Sequence, residues 1–119
     1  MRSEMKIQKF EEILAWQRAQ DQAVEIYQIF GKHRDFNFKD QILRAAVSVS
    51  NNIAEGFDRQ SNKEFCRFLY IALGSASEVK SMTYLAFRLN YISQKQRDEI
   101  IDQCSEISRL IQGFIKSIS

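Results

Sequence analysis

The sequence predicts an all-α protein, an antiparallel up-down-up-down four-helix bundle, and three observations carry that prediction. Proline is absent from the 119 residues and glycine occurs only at Gly31, Gly56, Gly74 and Gly113, so few breakers interrupt helix growth. Apolar residues recur in steps of three and four across four long segments, the period of an amphipathic helix. No segment of any length follows the two-residue period of a strand.

The first helix is predicted from about Glu11 to Phe30, with Trp16, Ala19, Ala23, Ile26, Tyr27 and Phe30 on its apolar face and Ile13 at the edge. Glu11 and Glu12 suit the positive end of the helix dipole, and Gly31 offers a stop. Asn37 is the expected N-cap of the second helix, which ends near Gly56 and Phe57. Within it Ile42, Ala46, Val49 and Ile53 form an apolar stripe, and Arg44, Ser48, Asn51 and Glu55 a polar one. Ser61 and Glu64 spell a capping box for the third helix. Its seam is Phe65, Leu69, Ala72, Ala76, Val79, Thr83 and Ala86, flanked by Phe68, Ile71, Ser75, Met82 and Leu85. At roughly 27 residues this helix is about 40 Å long. Asn90, tolerant of the left-handed conformation, ends it. Ser93 and Gln96 form a second capping box, and Ile100, Cys104, Ile107, Ile111, Phe114 and Ile118 continue as a heptad seam.

Residues 1–119 are read as one domain, with a composition of soluble globular type. No apolar run approaches the ~18 residues of a membrane span. The opening stretch to Glu12 mixes both charge signs without an apolar core, so a cytoplasmic location is expected rather than secretion. Cys66 and Cys104, without framework spacing, read as reduced, buried thiols.

No catalytic constellation is visible, and no enzyme activity, metal or cofactor is expected. His33 is the single histidine, whereas a di-metal bundle needs two Glu-x-x-His motifs. The glycines are too scattered for a phosphate loop. Small residues (Ala45, Ala46, Ser48 on one helix, Ala72, Gly74, Ser75, Ala76 on the next) would allow close backbone approach. Arg44, Asn52, Glu55, Gly56, Ser75 and Glu78 sit in these stretches. They read as an assembly motif, with the carboxylates partnered by Arg44 or Arg59, for instance, rather than as a catalytic or metal pair.

Antiparallel neighbours bring the first and third loops to one end, gathering Lys32, His33, Arg34, Lys39, Arg88, Lys95 and Arg97. The net charge is only +2, so it is this clustering that matters. Lys32, Arg34, Lys39, Arg88, Lys95 and Arg97 are the expected nucleic-acid-binding residues, for structured RNA or an RNA/DNA intermediate. Phe36, Phe38 and Tyr91, beside the loops, are the aromatic candidates for partner contact. Apolar and small residues on more than one seam of the third helix predict self-association.

The run Gln41, Arg44-Ala45-Ala46, Ser48 and Asn52-Ile53-Ala54-Glu55-Gly56 continues through Arg59, Ser61, Glu64-Phe65, Phe68-Leu69, Ile71-Ala72, Gly74-Ser75 and Glu78. Together with Trp16, Ala19 and Tyr27, it resembles the four-helix bundle family named for proteins encoded in 23S rRNA intervening sequences. Two features depart from that pattern. Ser50 and Asn51 stand where the family often has a nearby proline, and Asn90 replaces the glycine of a Leu-Gly-Tyr turn. The resemblance implies a ring-like homopentamer of antiparallel bundles with no established catalytic activity. A related branch serves as accessory proteins to reverse transcriptases of diversity-generating retroelements. A scaffold or accessory role toward such an enzyme is therefore the alternative expectation.

Overall fold

The computed structural model describes residues 6–119. Residues 1–5, part of the opening stretch read above as lacking a signal core, lie outside the described residues. A 3-10 turn at Phe10–Glu12 precedes α1 (Leu14–Phe30), α2 (Phe36–Phe57), α3 (Asn62–Arg88) and α4 (Gln94–Ile118).

Cross-helix contacts prove the antiparallel order. Phe30 packs on Phe38 while Gln20 Nε2 donates to Ser50 Oγ, so numbers fall along α1 as they rise along α2. Gly56 against Phe65 and Phe68, with Ser48 on Ser75, does the same for α2 and α3. Phe65 on Phe114 and Arg97 on Phe87 orient α3 and α4. The Arg18–Glu106 and Gln22–Cys104 contacts then bring α4 back to α1. The result is the predicted up-down-up-down bundle, a rod 48 Å long and about 20 Å thick.

The stripe Ile42, Ala46, Val49 and Ile53 is buried throughout, as is the whole α3 seam from Phe65 to Ala86. Each fully buried Ile, Leu, Val or Phe contributes about 1.5–3 kcal/mol relative to exposure, and this drives the pairing of the helices. The core forms two clusters along the rod. One centres on Ile26, Phe30, Ile42, Val79 and Ile100, the other on Ile53, Phe65, Leu69, Ile107 and Ile111.

Several local expectations change. The first helix begins at Leu14 because Ile13 adopts an extended backbone, and Ile13 is not at an edge but 1% exposed. Tyr27 leaves the apolar face and is 52% exposed, while the polar Gln22 takes a core place at 2%. Asp35, not Asn37, caps α2: its Oδ1 accepts from the Phe38 N–H at 3.1 Å. Ser61 accepts from the Glu64 N–H, but Glu64 turns to Arg67 instead of completing the box. The Ser93–Gln96 box is complete in both directions. Asn90 takes φ 62° and closes a Schellman turn, with the Tyr91 N–H on the Ala86 carbonyl and the Asn90 N–H on that of Phe87. In the α3 flanking row Phe68 and Met82 are buried, but Ile71 and Leu85 face outward. At the end of α4 the buried residue is Ile115, with Phe114 and Ile118 only partly covered. Cys104 is buried as expected, whereas Cys66 is half-buried.

Candidate functional site

The first and third loops meet at one end of the rod through a compact tie. Tyr91 donates its hydroxyl to Asp35 Oδ2 at 2.6 Å, across 56 residues of chain. The His33 ring lies 4.2 Å from that of Tyr91, and His33 Nδ1 accepts the Asp35 N–H at 3.1 Å. Phe38 meets the Tyr91 ring edge-on at 5.4 Å and carries the tie into the core beside Phe30. Asp35 therefore holds the third loop with one oxygen and caps α2 with the other. The Tyr91 hydrogen bond first, then the Phe38 N–H, hold the Asp35 carboxyl below its ordinary value. The same bond, with some desolvation, pushes the Tyr91 hydroxyl up.

The six predicted cations lie on the loops and helix ends at this end of the rod, in unequal states. Lys32, Arg34, Arg88 and Lys95 are exposed and make no ion pair with the described residues. Lys39 lies with its Nζ 4.6 Å from the Phe36 ring centroid. Arg97 stacks 4.3 Å over Phe87 and bonds Asp98 at 2.9 Å, so much of its charge is already answered. Asp35, Asp40, Asp98 and Glu99 share these helix ends, which makes the positive excess local rather than broad. Of the loop aromatics, Phe36 is exposed, Phe38 is buried and Tyr91 is engaged in the tie.

The six assembly-motif residues divide between α2–α3 packing and the surface. Gly56 has the closest contact: a Cβ there would lie 2.6 Å from Phe68 Cβ and 2.9 Å from Phe65 Cδ1. Ser75 shares a 2.8 Å hydrogen bond with Ser48. Asn52 Nδ2 donates to the carbonyl and hydroxyl oxygens of Ser48, on its own helix. Glu55 pairs with Arg59 at 3.0 Å, both largely exposed. Arg44 of α2 and Glu78 of α3 line an open groove between the two helices with Asp40, Gln41, Ser48 and Ser75. Gly74, expected at the close approach, is exposed with no heavy atom near its Cβ direction.

Sequence reasoning did not single out Gln22. Its Nε2 faces the Ile100 carbonyl, Gln103 Oε1 and Cys104 Sγ at 3.3–3.4 Å, and Gln103 in turn donates to Glu25. Burial pushes the Cys104 thiol up, so it stays protonated and inert. Among the described residues no group of three His, Cys, Asp or Glu side chains could hold a metal ion. No described helix is long and apolar enough to cross a membrane.

A sequence model of a family described as 23S rRNA-intervening sequence protein matches residues 11–113. A similar crystal structure is that of a protein of unknown function from the S23 ribosomal protein family of Bacteroides thetaiotaomicron. It is 31% identical, covers 87% of this chain and 99% of its own, and superposes with a TM-score of 0.80. No curated protein matches the chain.

Proposed function

The chain belongs to the 23S rRNA-intervening sequence protein family, and from that premise we propose that it acts without catalysis, as a homo-oligomer that binds structured RNA or an RNA/DNA intermediate. The observation that carries this reading is the set of exposed, unpaired cations Lys32, Arg34, Arg88 and Lys95 around the Asp35–Tyr91 tie. Lys39 and Arg97 complete the surface. A single end of this kind attracts phosphate weakly and in a salt-dependent way. An assembly repeats the end on each subunit, and multivalency raises the affinity without new contacts.

Self-association rests on a second observation. Tyr70, Ile71, Tyr84 and Leu85 of α3, with Leu89 just beyond its end, are all exposed, outside the buried core. The pentameric number comes from the family resemblance. The same apolar face favours the alternative reading, a scaffold that docks an enzyme such as a retroelement reverse transcriptase. Both readings place the protein in the cytoplasm.

The test is a gel-shift titration at two salt concentrations, with Lys32, Arg34, Arg88 and Lys95 changed to Glu. The reading expects wild-type binding that weakens with salt and is lost in the variant. Salt-insensitive binding, binding unchanged by the four reversals, or no wild-type binding would refute it. In that case co-purification of a reverse transcriptase from the native host would favour the scaffold.

A further inference from the structure

We propose that the groove between α1 and α2 takes an unpaired nucleobase of the bound RNA, stacked on Tyr27, with Arg44 on the adjoining phosphate; this rests on the RNA-binding reading above. Four observations meet there. An open groove of about 480 Å³ is lined by Tyr27 of α1 and, from α2, by Leu43, Arg44, Val47, Asn51 and Asn52, with the Asp40 carboxylate also on it. That volume falls within the range of small-ligand sites, about 300–1,000 Å³. Tyr27 is half-exposed and stacks on no ring among the described residues, in contrast to Phe38, Phe65 and Tyr91. It also walls a second, more apolar groove with Val24 and Gln28, so its ring is reachable from two sides.

The polar groups, the acceptor Asp40 among them, supply the donors and acceptors that a base edge needs. Asn52 has its NH2 fixed on Ser48, which leaves its Oδ1 as an acceptor, and the exposed Asn51 amide offers both a donor and an acceptor. Arg44 makes no ion pair with the described residues and is available to a phosphate.

Position supplies the fourth observation. Tyr27 lies one turn before the loop that carries Lys32 and Arg34, about 6 Å along α1. A strand held by those cations would need to extend only about one helical turn to reach the groove. Unstacked bases of loops and bulges are what proteins read on structured RNA, by stacking on aromatic rings and hydrogen bonding to base edges.

The experiment compares a single-stranded RNA carrying 2-aminopurine with a duplex of equal charge, using the full chain and the variants Tyr27→Ala, Tyr27→Phe and Arg44→Gln. Wild type is expected to change the 2-aminopurine fluorescence on binding. Tyr27→Ala is expected to lose that change and to bind the single strand roughly ten- to a hundred-fold more weakly, as for one stacked base. Tyr27→Phe keeps both, Arg44→Gln weakens the single strand, and duplex binding is unaltered in all three. Unaltered fluorescence and single-strand affinity in Tyr27→Ala overturn the proposal while leaving the basic end intact. A fall in particle mass in Tyr27→Ala overturns it in favour of a second copy in the groove. Absence of wild-type binding to either RNA removes the reading on which the proposal rests.

Discussion

Replacing Gly56 by alanine places a methyl group where α2 and α3 come closest. The new Cβ would lie 2.6 Å from Phe68 Cβ, an atom fixed to the α3 backbone that cannot swing aside, and 2.9 Å from Phe65 Cδ1. Relief requires the two helices to part, and overpacking of this kind costs about 1–3 kcal/mol. Alanine's helix preference over glycine, about 1 kcal/mol in a helix interior, offsets less than that here because Gly56 lies in the last turn of α2. The net expectation is a loss of about 1–2 kcal/mol. Gly113→Ala is the internal control: the site is exposed, within α4 and more than a turn from its end, with no heavy atom within 4 Å, so the same substitution should gain up to about 1 kcal/mol. Urea unfolding followed by circular dichroism measures both, at one protein concentration, because self-association raises apparent stability. A Gly56→Ala protein as stable as wild type, or a shift of the same sign for both variants, would refute the packing argument.

At Gln22, alanine should cost about 1–3 kcal/mol through the space it leaves, whereas leucine should stay within about 1 kcal/mol of wild type, since the three polar contacts at 3.3–3.4 Å are long; chemical denaturation distinguishes the two. The Asp35 carboxyl titrates below its ordinary value when folded, so its contribution is complete above the unfolded carboxylate range, about pH 4, and is lost as pH falls through the folded value. Tyr91 titrates higher when folded, so its contribution is complete below its unfolded range and is lost as pH rises through the folded value. Tyr91→Phe should therefore flatten both the acid and the alkaline limbs of a stability–pH profile. Cys104 should resist a thiol reagent at neutral pH until denaturant is added, so that native protein shows at most one fast-reacting thiol.

The helices were legible in the sequence because their seams are long and unbroken. Ile42–Ile53 and Phe65–Ala86 each hold one face for several turns, and no competing signal interrupts them. Caps were legible only where a single geometry satisfied the pattern. Ser93–Gln96 closes its box, but Glu64 has Arg67 one turn away and takes the charge partner. Asn37 lost to Asp35 because Asp35 has a second use, the Tyr91 hydroxyl, that links two loops far apart in sequence. Nothing local announces that bond. Gln22 was hidden by its polarity, although its spacing from Ala19 and Ile26 places it on the buried stripe. The basic end followed from topology alone, since antiparallel helices force the first and third loops together. Which of its cations stay unpaired did not follow, because the Arg97–Phe87 stack and the Lys39–Phe36 contact depend on side-chain placement.

The proposed assembly presents repeated basic ends to RNA. Mass measurement of the purified particle by light scattering, with and without a structured RNA, tests it most directly. The expected result is a discrete particle near five times the 14.0 kDa chain mass, which gains the mass of the RNA without changing its number of subunits. A 14.0 kDa monomer at micromolar concentration, with no gain in mass on adding RNA, would contradict it.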